Sequence, residues 1–147
     1  MNDFTLNGDS GDFLKIAFNK VEGYPDTPGY FGGYDIESAV EIKSASFTVK
    51  STMYSSTGEV CDFYSQLLKA NDLLAGSVYL RNYEDNLDVE IKYDVNGHAS
   101  VLGNFSKWGQ LLKFAFSTDQ TYIQSTLQQL KFIVDKYGGA KGVKSPR

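Results

Sequence analysis

The side chains that could do chemistry are few, and their densest group is acidic. Asp88, Glu90 and Asp94 share one face of a segment in which Leu87, Val89, Ile91, Tyr93 and Val95 form the other. With Glu84, the stretch 84–94 holds five acidic residues against one lysine. Two carboxylates about 5 to 10 Å apart can serve glycoside hydrolysis. Polar residues that alternate with apolar ones, however, make the solvated face of a strand. No catalytic residue is therefore assigned. An acidic face does speed encounter with a basic partner through electrostatic steering. Glu37 and Glu41 would extend that face if their strand lies beside it.

Nucleophilic and metal chemistry find little to work with. His98, the sole histidine, follows the Asn96-Gly97 turn signal and reads as an exposed strand start. Cys61 lies at helical spacing from Tyr64 and Leu68, which makes it a small buried hydrophobe, and its neighbours Glu59 and Asp62 do not activate a thiol. One histidine and one cysteine exclude a His/Cys zinc cluster within the chain, so neither a metal nor another cofactor is expected. The Gly-rich run Gly29–Gly33 precedes a strand, whereas phosphate-binding loops follow one and open a helix.

Binding is what remains, and one segment stands out for it. Gly23-Tyr24-Pro25-Asp26-Thr27-Pro28-Gly29-Tyr30-Phe31-Gly32-Gly33-Tyr34-Asp35 crowds aromatics, glycines and prolines into a shaped loop. Its aromatics either plug the end of a sheet or meet a partner, and both roles stay open for Tyr24, Tyr30 and Phe31. Trp108, in a Lys107-Trp108-Gly109 turn, is a further candidate for partner contact or for packing over a sheet end.

These residues must be carried by strands and two helices. Phe4–Asn7 and Asp12–Glu22 read as strands around an Asn7–Gly11 turn. Tyr34, Ile36, Val40 and Ile42 alternate with charged residues in a third strand, and Phe47, Val49 and Met53 continue in a fourth. Thr57 is the expected N-cap of a helix whose stripe is Val60, Phe63, Tyr64, Leu67 and Leu68. Ser77–Tyr83 and Leu87–Val95 are strands, Asn96-Gly97 predicts a two-residue hairpin turn, and Ala99–Phe105 and Leu111–Ser117 follow. A closing helix opens at Ser117-Thr118-Asp119-Gln120 and buries Tyr122, Ile123, Leu127, Leu130, Val134 and Tyr137. The order is ββββαββββα. It predicts an α+β fold in which a curved antiparallel sheet, or an open sandwich of about eight strands, packs against two helices. Four strands and a helix thus occur twice, and the Ser56-Thr57 and Ser117-Thr118 pairs that announce the helices fit duplication and convergent capping equally.

Composition narrows the class. A chain of 147 residues suits one domain, placed at 1–138, with a flexible Gly-rich tail over 139–147. No signal peptide or bilayer-length apolar run is visible, which predicts a soluble cytoplasmic protein. Of the 14 basic residues, Lys141, Lys144 and Arg147 lie in the tail, leaving 11 against 18 acidic residues before it. That balance disfavours direct binding to nucleic acid or anionic membrane. It carries no expectation about oligomeric state.

The order of Gly23-Tyr24-Pro25, Phe31-Gly32-Gly33-Tyr34-Asp35 and Glu41-Ile42-Lys43 resembles the WapI-like family, small immunity proteins that neutralise wall-associated contact-dependent toxins. Ser56-Thr57-Gly58-Glu59, Phe63-Tyr64 and Gln66-Leu67-Leu68 are similar to its first helix. Tyr83-Glu84, Asn86-Leu87 and Ser117-Thr118-Asp119-Gln120 carry the resemblance through most of residues 1–138. It implies a cytoplasmic antidote, without catalytic residues, that binds the C-terminal toxic domain of a polymorphic toxin, often a nuclease. A basic nuclease suits an acidic antidote. The residues that select one toxin are not transferable from the family. By the residues alone, a β-rich module closing its aromatic loop over a small apolar ligand is the alternative.

Overall fold

The computed structural model describes residues 2–138. The first half comprises β1 (Asp3–Asn7), β2 (Phe13–Glu22), β3 (Asp35–Ser44), β4 (Phe47–Ser56) and α1 (Thr57–Leu73). The second comprises β5 (Ser77–Arg81), β6 (Leu87–Tyr93), β7 (His98–Lys107), β8 (Gln110–Asp119) and α2 (Gln120–Tyr137). Each set of four strands forms an antiparallel meander in chain order, and neither sheet closes into a barrel. The expected ββββαββββα order holds, built as two four-stranded sheets. The tail assigned to 139–147 lies outside the described residues.

Alternation decides which face turns inward. Ile36, Val40 and Ile42 of β3 and Leu87, Val89, Ile91 and Tyr93 of β6 are buried, while their charged neighbours look outward. Each buried aliphatic side chain contributes about 1.5–3 kcal/mol, and together with Phe63, Leu67, Ile123 and Leu130 from the helices they make one continuous core. Gly103 shows how tight that core is. A Cβ there would lie 2.4 Å from the Phe114 ring on the neighbouring strand, so the aromatic fills the space a side chain would need.

The halves match in detail. β1 and β5 each have 5 residues, and β3, β7, β4 and β8 each have 10. The two-residue turns at Ala45-Ser46 and Trp108-Gly109 both start at φ 54°. From β3 onward the correspondence is a shift of 63 positions (119 − 56, N-cap to N-cap), not the 61 that separates the Ser-Thr pairs. The helices are exchanged between halves: α1 packs on β5, α2 packs on β1, and the helices pack on each other.

This exchange protects sheet edges that would otherwise offer unpaired backbone to other chains. Gln66 of α1 accepts from the Tyr79 backbone N–H at 2.9 Å and donates to the Tyr79 carbonyl at 3.2 Å, at the middle of β5. Gln129, 63 positions on (129 − 66), accepts from the Thr5 N–H at 2.8 Å at the middle of β1. There Thr126 Oγ1 supplies the second bond, donating to the Thr5 carbonyl at 2.7 Å.

Several local expectations are corrected. The N-cap of α1 is Ser56, not Thr57, in a complete capping box with Glu59; the Thr57 hydroxyl instead accepts from the Tyr34 N–H at 2.8 Å. In α2, Ile133 rather than Val134 is buried, and Tyr122 is 39% exposed. Leu68 and Phe47 are also exposed, because the helix stripe rotates toward Ala70 and the start of β4 lies outside the core. The β6–β7 turn holds three residues, Val95–Gly97, with Asn96 and Gly97 at φ 63° and 79° as that pair favours.

Candidate partner-binding site

The match between halves breaks at β2, which has 10 residues against 7 in β6, and at the connection that follows it. β6 reaches β7 through Asp94–Gly97, whereas β2 reaches β3 through the twelve residues Gly23–Tyr34, the aromatic loop. Its inner side is fastened to the fold. Tyr34 is fully buried, its hydroxyl donates to the Pro25 carbonyl at 2.8 Å, and its carbonyl accepts from the Thr57 N–H at 2.9 Å. Tyr24 meets Tyr34 and Tyr137 edge-on at ring distances of 5.3 and 4.9 Å. Gly23, at φ 80°, closes a turn onto the Thr27 N–H, and a Cβ there would strike the Thr27 carbonyl.

The outer side of the loop is a platform. Phe31 stacks on Tyr83 at 4.0 Å with 8° between ring planes, and Tyr30 stands edge-on to Phe31 at 5.1 Å. Tyr30 is 93% exposed and Phe31 49%. This arm walls a cleft of about 580 Å³ whose other side is α1 and β5, lined by Glu59, Asp62, Gln66, Tyr79 and Arg81.

Negative charge gathers behind the platform. Burial raises the Glu59 carboxyl to about 7, aided by the charge of Asp35 and opposed by its bond from the Ser56 N–H. The Tyr83 hydroxyl is pushed up to about 12, first by burial and then by Asp35, Glu84, Glu59 and Glu22. The buried Oδ1 of Asp35 has no hydrogen-bond partner. The one cation lining the cleft, Arg81, is held by Asp88 at 3.0 Å, and that bond raises its pKa.

The sequence candidates are divided by this geometry. Tyr30 and Phe31 form the arm. Asp88 and Glu90 line an adjoining shallow cleft that shares Tyr79 and Arg81 with the first. Tyr79 donates to Glu90 at 3.3 Å. Their face is mixed rather than acidic, because Arg81, Asp88, Asn104 and Lys113 stand in one register row and Lys92 lies on the same strand face. Glu84 sits in the β5–β6 connection beside Tyr83. Asp94 is at the opposite end of β6. Glu37 and Glu41 are on β3, in the other sheet, where Glu41 faces Lys15 and Lys50 across the register. Trp108 does not pack over a sheet end: it is 90% exposed, with the Lys107 ammonium 4.9 Å from its ring.

Sequence reasoning missed Glu59, Asp62, Tyr79, Arg81 and Tyr83 as site residues. Tyr79 carried a usable signal, an aromatic on the polar side of a strand whose inner residues are Val78 and Leu80. Glu59 was legible only as a helix-capping residue.

Among the described residues, no group of three or more His, Cys, Asp or Glu is placed to hold a metal ion. Cys61 is buried, with its thiol pushed up by burial and then by Asp62, the opposite of activation. No helix among them is long and apolar enough to cross a membrane. The fold is a doubled α+β architecture that carries an exposed aromatic platform beside a cleft lined by Glu59 and Asp62. The chain belongs to the WapI-like immunity protein family, whose model matches residues 5–138. No curated protein and no solved structure matches it.

Proposed function

We propose that this immunity protein acts in the cytoplasm by binding the C-terminal toxic domain of a polymorphic contact-dependent toxin, without catalysis of its own. Family membership over residues 5–138 is the observation that carries the reading. The proposed docking surface runs from Tyr30 and Phe31 across Tyr79 and Arg81 to Asp88 and Glu90. An aromatic patch with a charged rim has the composition of an interface hot spot. A basic nuclease domain is the toxin class best suited to a chain with 18 acidic residues. The open cleft suits a protein partner better than a small apolar ligand, which needs most of its surface enclosed.

The test is coexpression with the toxin domain encoded beside this gene, followed by co-purification. Protection of the cells and a stoichiometric complex are expected. Death of the cells together with separate elution of the two proteins would overturn the reading.

A further inference from the structure

We infer that the cleft between the Tyr30–Phe31 arm and α1 receives one cationic side chain, arginine or lysine, from the surface of the partner protein. The inference rests on the toxin-binding reading and names the chemistry of its contact.

Three observations converge on a cation. Tyr30, Phe31 and Tyr79 present aromatic surface to the cleft, and each is at least 44% exposed. A guanidinium or ammonium lying against such rings is attracted by their π-electrons. Glu59 and Asp62 line the same cleft from successive turns of α1 and supply the countercharge. Asp35, outside the cleft lining, adds negative potential that is felt at both Glu59 and Tyr83. Arg81 does not neutralise Glu59 and Asp62: its guanidinium is bonded to Asp88 at 3.0 Å. It reaches the Tyr79 ring only at the outer range of a cation–π contact, 5.9 Å, which leaves the Tyr30–Phe31 arm without a cation of its own. The carboxylates are also not grouped for metal coordination. Aromatic walls with carboxylates set apart along one side fit an organic cation on a flexible stem.

The raised Glu59 carboxyl agrees with this geometry. A cation seated in the cleft would favour the ionised form, so binding near neutral pH should release a proton from Glu59. The other charged and titratable groups facing that position are Asp35, Asp62, Arg81, Tyr79 and Tyr83.

The direct probe is a blocked arginine, N-acetyl-arginine N-methylamide, titrated into the isotope-labelled full chain, with its citrulline counterpart as the neutral isostere. The ring signals of Tyr30, Phe31 and Tyr79 should shift and saturate with a Kd on the order of millimolar. The citrulline compound should bind about tenfold more weakly, and the Glu59→Gln/Asp62→Asn variant should weaken arginine binding by a similar factor. Equal shifts from both compounds, or none from either, would overturn the inference.

A second arm measures affinity for the toxin domain encoded alongside. Tyr30→Ala/Phe31→Ala should weaken the complex about 30-fold or more, and Phe31→Tyr should leave it within about threefold. If the toxin binds every variant equally and blocked arginine does not bind, the cleft inference falls while the immunity reading stands. If blocked arginine binds as described and the toxin does not bind the wild-type chain, the immunity reading falls instead.

Discussion

The halves of this chain run in the same strand order, but β2 outruns β6 by three residues (10 − 7), and the first half then crosses to β3 through twelve residues where the second turns back through the four of Asp94–Gly97. Everything the halves share serves stability: inward aliphatics, capped helices and glutamines that close the outer strands. What the first half adds is an arm of aromatics standing over carboxylates. Repetition therefore acts as an internal control, separating residues that hold the fold from residues that are spare to it. The division also runs through the loop itself, where Tyr34 is fully buried and Tyr30 is 93% exposed.

Mutating those two tyrosines should give the largest contrast. Tyr34→Ala removes a fully buried ring and its bond to the Pro25 carbonyl, and should lower unfolding free energy by about 3–5 kcal/mol in denaturant titration. Tyr30→Ala should stay within about 0.5 kcal/mol of wild type. Similar losses at both positions would erase the distinction between anchor and platform.

The exchanged helices offer a finer comparison. Gln66→Ala breaks both bonds to Tyr79 and should cost about 1–3 kcal/mol. Gln129→Ala breaks the one bond to the Thr5 N–H and should cost about half as much; adding Thr126→Val should bring the total near that of Gln66→Ala. Equilibrium unfolding of the four proteins checks this, and a negligible effect at Gln66 would sink the idea that the helices protect the edges. At the caps, Ser56→Ala and Asp119→Ala should each cost about 1 kcal/mol.

The smallest effect belongs to the half with the loop. Glu59 ionises near 7 in the folded protein against 4.5 ordinarily, so the folded state holds the proton more tightly. Its stabilisation is full below about pH 4.5 and is lost as pH rises through 7. With partial exposure discounted, about 1 kcal/mol should disappear over that window. Glu59→Gln can still accept from the Ser56 N–H and should remove this part of the pH dependence. An unchanged slope in pH-resolved thermal melts would mean that another group is responsible.

Local patterning explains how much of this was readable in the sequence. Alternation along β3 and β6 and helical spacing around Phe63 and Leu67 announce elements and inner faces, because burial imposes those periods. The doubling showed in the repeated element order and in two Ser-Thr pairs at a spacing of 61, while the true correspondence of 63 lies in geometry. Ser56 and Asp119 cap equivalent helices with different side chains, and Ala45 and Trp108 share a backbone angle but no chemistry. The loop stood out in composition, and Tyr30 and Phe31 were legible as candidates. Their companions were not: Tyr83 meets Phe31 from the β5–β6 connection of the other half, and Glu59 reaches the cleft from a helix start. Such meetings depend on long-range topology. Asp88 and Glu90 looked acidic in the chain, yet the register sets Arg81 and Lys113 in the same row as Asp88.

The decisive measurement is a hydrogen-exchange footprint of the toxin domain on this protein, read at the two unequal connections. Slowed exchange is expected over Tyr30–Tyr34 and Tyr79–Tyr83, with Asp94–His98 unchanged. A footprint centred on Asp94–His98 with the aromatic loop exchanging as in the free protein would contradict the assignment of binding to the inserted arm.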